Sequence, residues 1–340
     1  MKVYNSVFDV IKEFDPNSPY LRAREYYKKT GMFSVRVPDD SFQWVDLGNG
    51  LGSALPIDWI SYYYFRGEND RYEKCESSRS RSCKSLEDKV LADLKVIEFE
   101  LALKQFPQVY LAEKDGMHID YFAMAQHYGL NTDYLDITSD IGVAAFFACT
   151  KFNSDGSVTV NNNEYAQIRV ATLLMPDNPL SPENKLHIFG LQPFLRPSRQ
   201  RGSCLQLADG EDFAKRSLAY VFKTNPEDSL IIINTFTELT GKKATNRLWL
   251  FPDEIIDPVA DIIKSKKCIS DAAIDEYCSR FKEDRASIIS LIDASSYSII
   301  YEPTKWISDE EKNRLEVELT PYPYGKNKIA TRLCFKPKIK

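Results

Sequence analysis

The chain has 340 residues, 43% hydrophobic and 27% charged, with a formal net charge of −5. This is ordinary globular usage, enough for a large core in two domains or one elaborated domain, and it excludes long disorder. The acidic balance gives no global support for nucleic-acid binding and leaves only a local basic surface open.

Seven cysteines, Cys75, Cys83, Cys149, Cys204, Cys268, Cys278 and Cys334, are scattered without a CxxC pair. Their odd number and spacing point to reduced thiols in a cytoplasmic protein rather than a disulfide framework or a zinc site. The first residues are interrupted by Asp9 and followed by Lys12 and Glu13, so no signal-peptide core is expected. Apolar runs stay below the roughly eighteen residues that a membrane-spanning helix needs.

In chain order, Val3 to Phe14 carries Val7, Val10, Ile11 and Phe14 at helical spacing, and Asp15 to Pro19 stops it. A second helix is expected from Tyr20 to Lys29, ending near Gly31, followed by strands at Phe33 to Val37 and Phe42 to Val45. Trp59 to Phe65 is an aromatic run of high β-propensity that delivers Arg66-Gly67-Glu68 at its end. Residues 71–84 form a Ser-rich basic loop with five Lys/Arg against two Glu, suited to clamping phosphates or to serving as a solvated connection.

Helices are then expected from Leu86 to Gln105, closed by Pro107, and from Met117 to Tyr128, with Gly129 as C-cap. Thr138 or Ser139 is the expected N-cap of a very apolar helix running from Ile141 towards Cys149. A polar hairpin at Ser157 to Asn163 precedes strands at Tyr165 to Leu174 and Leu186 to Phe189, with a loop at Pro176 to Pro182 between them. Ser203 to Leu207, Ala219 to Lys223 and the isoleucine-rich Leu230 to Thr235 complete the expected strands. The remainder is helical in pattern, at Asp253 to Lys264, Ser270 to Lys282, Asp284 to Ile292 and Trp306 to Leu319, with an edge strand at Ile329 to Phe335. The expected fold class is α+β, a mixed or mainly antiparallel sheet with packed helices and a helix-rich C-terminal subdomain. The divisions fall at residues 1–54, 55–240 and 241–340.

The polar residues set against the Ile141–Cys149 run mark the candidate site, because polar groups at the wall of a core each need a partner. Arg66 cannot shed its proton, so it must find a carboxylate, carbonyls or a ligand phosphate; a structural ion pair and a ligand contact use the same geometry. Gly67 permits a sharp turn or close backbone approach. Gln126 lies in line with core side chains near a helix end, and His127 beside it is either a hydrogen-bonded structural residue or a general acid/base. Asp136 can accept from ribose hydroxyls or hold an arginine. The three histidines are too dispersed to suggest a metal cluster. GxGxxG, GxxxxGK[ST], HExxH and GxSxG are all missing, so Rossmann, P-loop, zincin and hydrolase sites are not supported.

Phe65-Arg66-Gly67-Glu68, the run Ala-Gln-His-Tyr-Gly-Leu-x-Thr-x-x-Leu-Asp-x-Thr at 125–138, the Ala-rich helix after it and Arg196 to Gly202 together resemble the FRG-domain family of bacterial and phage proteins. The resemblance covers roughly residues 55–210, and departs at Cys204, where an aromatic usually follows the Gln-x-Gly element. In layout it is also similar to ADP-ribosyltransferases, which implies a phosphate role for Arg66 and nicotinamide-ribose support from Thr138 and Ser139. That layout expects a closing Glu, where this chain has Gln200-Arg201-Gly202, so Glu211 or another carboxylate would have to substitute. The resemblance thus implies an NAD- or nucleotide-handling enzyme, a transferase or hydrolase acting in phage conflict. NAD would be the substrate, Arg66, Gly67, Gln126, Thr138 and Ser139 the binding residues, and His127, Asp136 and Gln200 the catalytic ones. A non-catalytic binding module, or a polar network that locks the fold, uses the same residues. The C-terminal helices are available for a protein partner, for covering the core or for selecting substrate.

Overall fold

The computed structural model describes residues 2–34, 41–56, 61–153, 157–173, 185–240, 243–318 and 329–331. Its frame is a seven-stranded sheet in the spatial order Val3–Tyr4, Leu218–Lys223, Tyr165–Ala171, Tyr64–Glu68, Tyr134–Thr138, Gly202–Gln206, Leu186–Ile188. Every neighbouring pair is antiparallel except Val3–Tyr4 with Leu218–Lys223, so the sheet is mixed and mainly antiparallel, and the fold is α+β as expected.

Strand alternation divides the sheet into two faces. Phe65, Ile168 and Val170 point to one face, where Ile141–Cys149 packs with Ala144, Phe146 and Ala148 fully buried. The same cluster takes Val7, Phe8 and Ile11 of Val7–Phe14 and Ile231 and Ile232 of Pro226–Thr235. Tyr64, Leu135, Ile137 and Leu205 point to the other face, closed by Cys75 and Phe213 rather than by a long helix.

Gly67 is where the central helix lies closest to the sheet. A Cβ there would stand 1.8 Å from the Ala144 carbonyl oxygen and 2.8 Å from the Ala148 nitrogen, so only glycine allows this backbone-to-backbone contact. Between Tyr64–Glu68 and Tyr134–Thr138 the ladder holds one registered pair, Phe65 with Thr138. Beyond it the Arg66 guanidinium donates from Nη1 to the Asp136 carbonyl at 2.7 Å, a bond between side chain and strand where a ladder rung would otherwise lie.

The second layer is built on Leu86–Leu103, opened by a Ser85/Asp88 capping box. Asp257–Ser265, Asp271–Phe281 and Arg285–Ala294 pack against it through Val259, Ile263, Ile274 and Ile292. Two buried acids fasten the contact: Glu98 accepts from Ser270 Oγ at 2.7 Å and faces Lys266 at 3.2 Å, and Glu100 pairs with Arg280 at 2.8 Å.

Several expectations are corrected. Leu230 to Thr235 is not a strand but the end of helix Pro226–Thr235, because Asn225 caps it and Pro226 starts it, while the isoleucines supply a buried helix face. Pro107 does not merely close a helix; it opens Pro107–Lys114, as proline favours a first helical turn. The helix expected from Met117 is shorter, Tyr121–His127, since Asp120 caps it and Met117 bridges to Gly52 instead. Val3–Tyr4 forms a strand ahead of the Ser6-capped helix Val7–Phe14. The strand expected over the aromatic run begins only at Tyr64 and continues to Glu68, so Arg66 and Gly67 lie inside it rather than past its end. Residues 78–82 of the basic loop are helical, as Ser78–Ser82. Residues 35–37 of the expected Phe33 strand, residues 59–60, the 176–182 loop and residues 332–335 lie outside the described residues, whereas Ile329–Thr331 does pair with Ser41–Gly48.

Candidate functional site

The helices Tyr121–His127 and Ile141–Cys149 cover adjacent parts of one sheet face and leave a cavity of about 160 Å³ between them. Phe65, Arg66, Gly67, His127, Asp136, Thr138, Gln200 and Gly202 line it, with Val143, Ala144 and Phe147 from the central helix. Residues distant in sequence therefore do meet around one hollow, and six of the eight candidate residues border it: Arg66, Gly67, His127, Asp136, Thr138 and Gln200.

The His127 side chain is 2% exposed, with its ring edge-on to Phe189 at 4.9 Å. Its Nδ1 lies 3.1 Å from Gln200 Oε1. Because the Gln200 amide nitrogen donates to the Leu250 carbonyl at 3.1 Å, the oxygen faces the histidine and Nδ1 carries the proton. Nε2 is then the lone-pair nitrogen; it is shielded from solvent, has no hydrogen-bond partner and stands 3.8 Å from Asp136 Oδ1. Burial pushes the His127 pKa below its usual value, against the smaller upward pulls of Asp136 and Gln200.

Asp136 is held from behind. Gln126 Nε2 donates to its Oδ2 at 3.0 Å, while Gln126 Oε1 accepts from Thr132 Oγ1 at 2.7 Å and Ser78 Oγ at 3.1 Å. Gln126 thus does not border the cavity, and its amide is spent on orienting the carboxylate. The second oxygen, Oδ1, faces the Cys204 thiol at 3.5 Å. Burial first, and then Asp136, push the Cys204 thiol well above the usual thiol range. Thr138 Oγ1 donates to the Gln200 carbonyl at 2.9 Å and so ties the strand to the Arg196 to Gly202 turn.

The N-cap of the central helix is Asp140, not Thr138 or Ser139. Thr138 still belongs to the strand and has its hydroxyl engaged, whereas Asp140 Oδ1 accepts from Gly142 N at 2.8 Å. Ser139 turns away and borders a second, larger cavity of about 330 Å³, together with Ser61, Tyr62, Tyr63, Asp140 and Arg201. Phe65 lines both hollows. Glu211 borders neither cavity; it is engaged by Arg216 at 3.0 Å and Lys185 at 3.7 Å.

The Arg66 side chain leaves the strand on the face opposite Phe65 and Gly67, the face of its cross-strand neighbour Arg169 and of Glu68. Its Nε is buried, 3.6 Å from Glu68 Oε1, while Glu68 is bound more tightly by Arg169 at 2.8 Å and Gln167 at 2.6 Å. Nη1 is engaged by the Asp136 carbonyl, and the Cys75 thiol lies within hydrogen-bonding reach of the same guanidinium.

The scattering of the histidines hid one cluster. The fold brings His127, Asp136 and Cys204 together with their ligand atoms all within 4.8 Å of one another. Sequence reasoning saw Cys204 only as a departure from a family pattern. The signal that could have found it is alternation: residue 204 lies two positions after Gly202 and so shares its sheet face.

Fold and site define an α+β protein with a small cavity over one sheet face, walled by polar side chains and by apolar ones of the Ile141–Cys149 helix. The chain carries an FRG domain, whose family model matches residues 61–156. That span contains Arg66, His127, Asp136 and Thr138, while Gln200, Gly202 and Cys204 come from beyond it. No curated protein and no solved structure matches the chain. No helix among the described residues is long and apolar enough to cross a membrane.

Proposed function

We propose that the protein is a nucleotide- or NAD-handling enzyme, a hydrolase or transferase whose chemistry takes place in the smaller cavity. The observation that carries this reading is His127 Nε2, a desolvated lone pair with no protein partner at the wall of a hollow, facing a carboxylate. Such an atom is suited to activating a water or substrate hydroxyl, and a burial-lowered pKa keeps it unprotonated at neutral pH. Gln200 fixes its tautomer, and Asp136 would stabilise positive charge developing on the ring.

The size of the two hollows supports a substrate with two parts. The reacting end would enter the smaller cavity, and the remainder would extend past Phe65 into the larger one beside Tyr62, Tyr63 and Arg201. Arg66 carries its guanidinium to the opposite sheet face and would serve the site by holding the Asp136 carbonyl rather than by gripping a phosphate in the cavity. The layout similarity to ADP-ribosyltransferases points to NAD within this class, and a role in phage conflict would go with the FRG-domain resemblance. Partner binding through the C-terminal helices is a separate proposal with no residue assigned to it.

Purified protein incubated with NAD and a nucleotide panel should consume at least one member, read by mass spectrometry. His127→Ala and Arg66→Ala should abolish that turnover while far-UV circular dichroism stays native. A second reading, a binding module or a structural network, is favoured by how many motif groups are already engaged: Gln126, Thr138, Gln200 and Arg66 Nη1. Saturable nucleotide binding without turnover selects the module. Absence of both selects the network and refutes the enzyme.

A further inference from the structure

The three side chains around Asp136 have the arrangement of a metal centre. Ligand atoms around tetrahedral zinc, bound at roughly 2.0–2.3 Å, lie about 3.3–3.8 Å from one another. His127 Nε2 and Asp136 Oδ1 are 3.8 Å apart, and Cys204 Sγ and Asp136 Oδ1 are 3.5 Å apart. The remaining edge, from histidine to cysteine, is no longer than 4.8 Å. A shift of about an ångström along that edge would close the set.

The surroundings fit as well as the distances. Imidazole ligands of metals ordinarily have the far ring nitrogen anchored and ligating carboxylates the far oxygen held. Here Gln200 anchors Nδ1 and is itself fixed on the Leu250 carbonyl, and Gln126 holds Asp136 Oδ2. Asp136 and Cys204 are directly opposed in the register of adjacent strands, so two of the three donors sit on rigid backbone. The third donor is the orphaned Nε2, whose burial without a partner costs free energy that a cation would recover.

We propose that His127, Asp136 and Cys204 form a three-ligand centre for a divalent metal, with zinc preferred, whose fourth position opens into the smaller cavity. The donor set selects the metal: a thiolate and an imidazole favour zinc over magnesium or calcium. On binding, the Cys204 S–H bond is replaced by a sulfur–zinc bond and the proton leaves to solvent. Thiolate and carboxylate together then balance the dication, leaving no uncompensated charge. A water in the fourth position would be the activated nucleophile; coordination takes up the Nε2 lone pair, so in the zinc-loaded protein His127 would be a ligand and the metal would replace it as the activator of water. The chemical consequence rests on the enzyme reading above, whereas the binding of zinc does not.

The test uses the untagged full chain, stripped with a chelator and titrated with zinc chloride by calorimetry. One zinc per chain is expected. Gln200→Ala should weaken it about 10- to 100-fold, the range for loss of an orienting partner, and Cys204→Ala and Asp136→Asn should weaken it further. Cobalt(II) should give a thiolate charge-transfer band that vanishes in Cys204→Ala, with the variant's melting curve recorded to show that it folds. Absence of stoichiometric zinc binding, or binding indifferent to Cys204→Ala, overturns the proposal. Nucleotide turnover by the stripped protein refutes the catalytic role of the metal and leaves the enzyme reading standing. Tight zinc binding without turnover of any nucleotide has the reverse effect.

Discussion

Replacing Gly67 with alanine tests the contact on which the site is built. The new methyl carbon would lie 1.8 Å from the Ala144 oxygen and 2.8 Å from Ala144 C and Ala148 N. An ordinary carbon–oxygen contact is about 3.3 Å, so helix and strand must part by roughly 1.5 Å. Overpacking by a methyl against movable side chains costs about 1–3 kcal/mol. Here both surfaces are backbone and every residue of the helix but Phe147 is buried, so a loss of about 3–5 kcal/mol is expected, out of a total stability of roughly 5–15 kcal/mol. With an unfolding entropy near 0.7 kcal/mol/K for 340 residues, that is a fall of about 4–7 °C in Tm. Differential scanning calorimetry reads it directly, with Gly31→Ala as control. Gly31 has φ of 68° and no atom within 4 Å of an added Cβ, so only backbone strain of about 1 kcal/mol applies. A Gly67→Ala melt within about 2 °C of the unmodified protein, or no lower than the Gly31→Ala melt, would refute the packing argument.

Glu68→Ala should destabilise by about 3–5 kcal/mol in chemical unfolding, because Arg169, 4% exposed, would keep a buried charge without its carboxylate; a loss below about 1 kcal/mol would show the pair to be dispensable. Gly202→Ala would put a methyl 2.8 Å from His127 Nε2 and should abolish any activity or metal binding in the cavity with a smaller loss of stability than Gly67→Ala, since the histidine ring can swing away; retained function would show that Nε2 is not the working atom. In metal-free protein, stability should be constant above pH 6.5 with respect to His127 and fall below it, because the unfolded chain takes up the proton first while the buried ring resists it. His118, likewise lowered by burial, acts in the same direction, so melting curves of His127→Gln should flatten only part of the acid decline, and a fully retained decline would remove His127 from the explanation.

Local chemistry made much of the frame readable. A strand through Phe65, the apolar helix from Ile141 and the α+β class depend on propensity and patterning, which act within a few residues. What was not readable depends on register. Ser139 and Thr138 are neighbours in sequence yet border different hollows, because one residue reverses the face. Cys204 meets Asp136 only because two strands pair at that rung. Leu230 to Thr235 shows the limit of composition: a short isoleucine run is compatible with either element, and Asn225-Pro226 decided for helix.

The single registered pair between Tyr64–Glu68 and Tyr134–Thr138 has a mechanical consequence. The central sheet is in effect two plates sewn at one stitch, with the Arg66 side chain as a rivet beside it. A seam of that kind can flex without undoing either plate, so breathing of the cavity and the integrity of the fold are governed by different bonds.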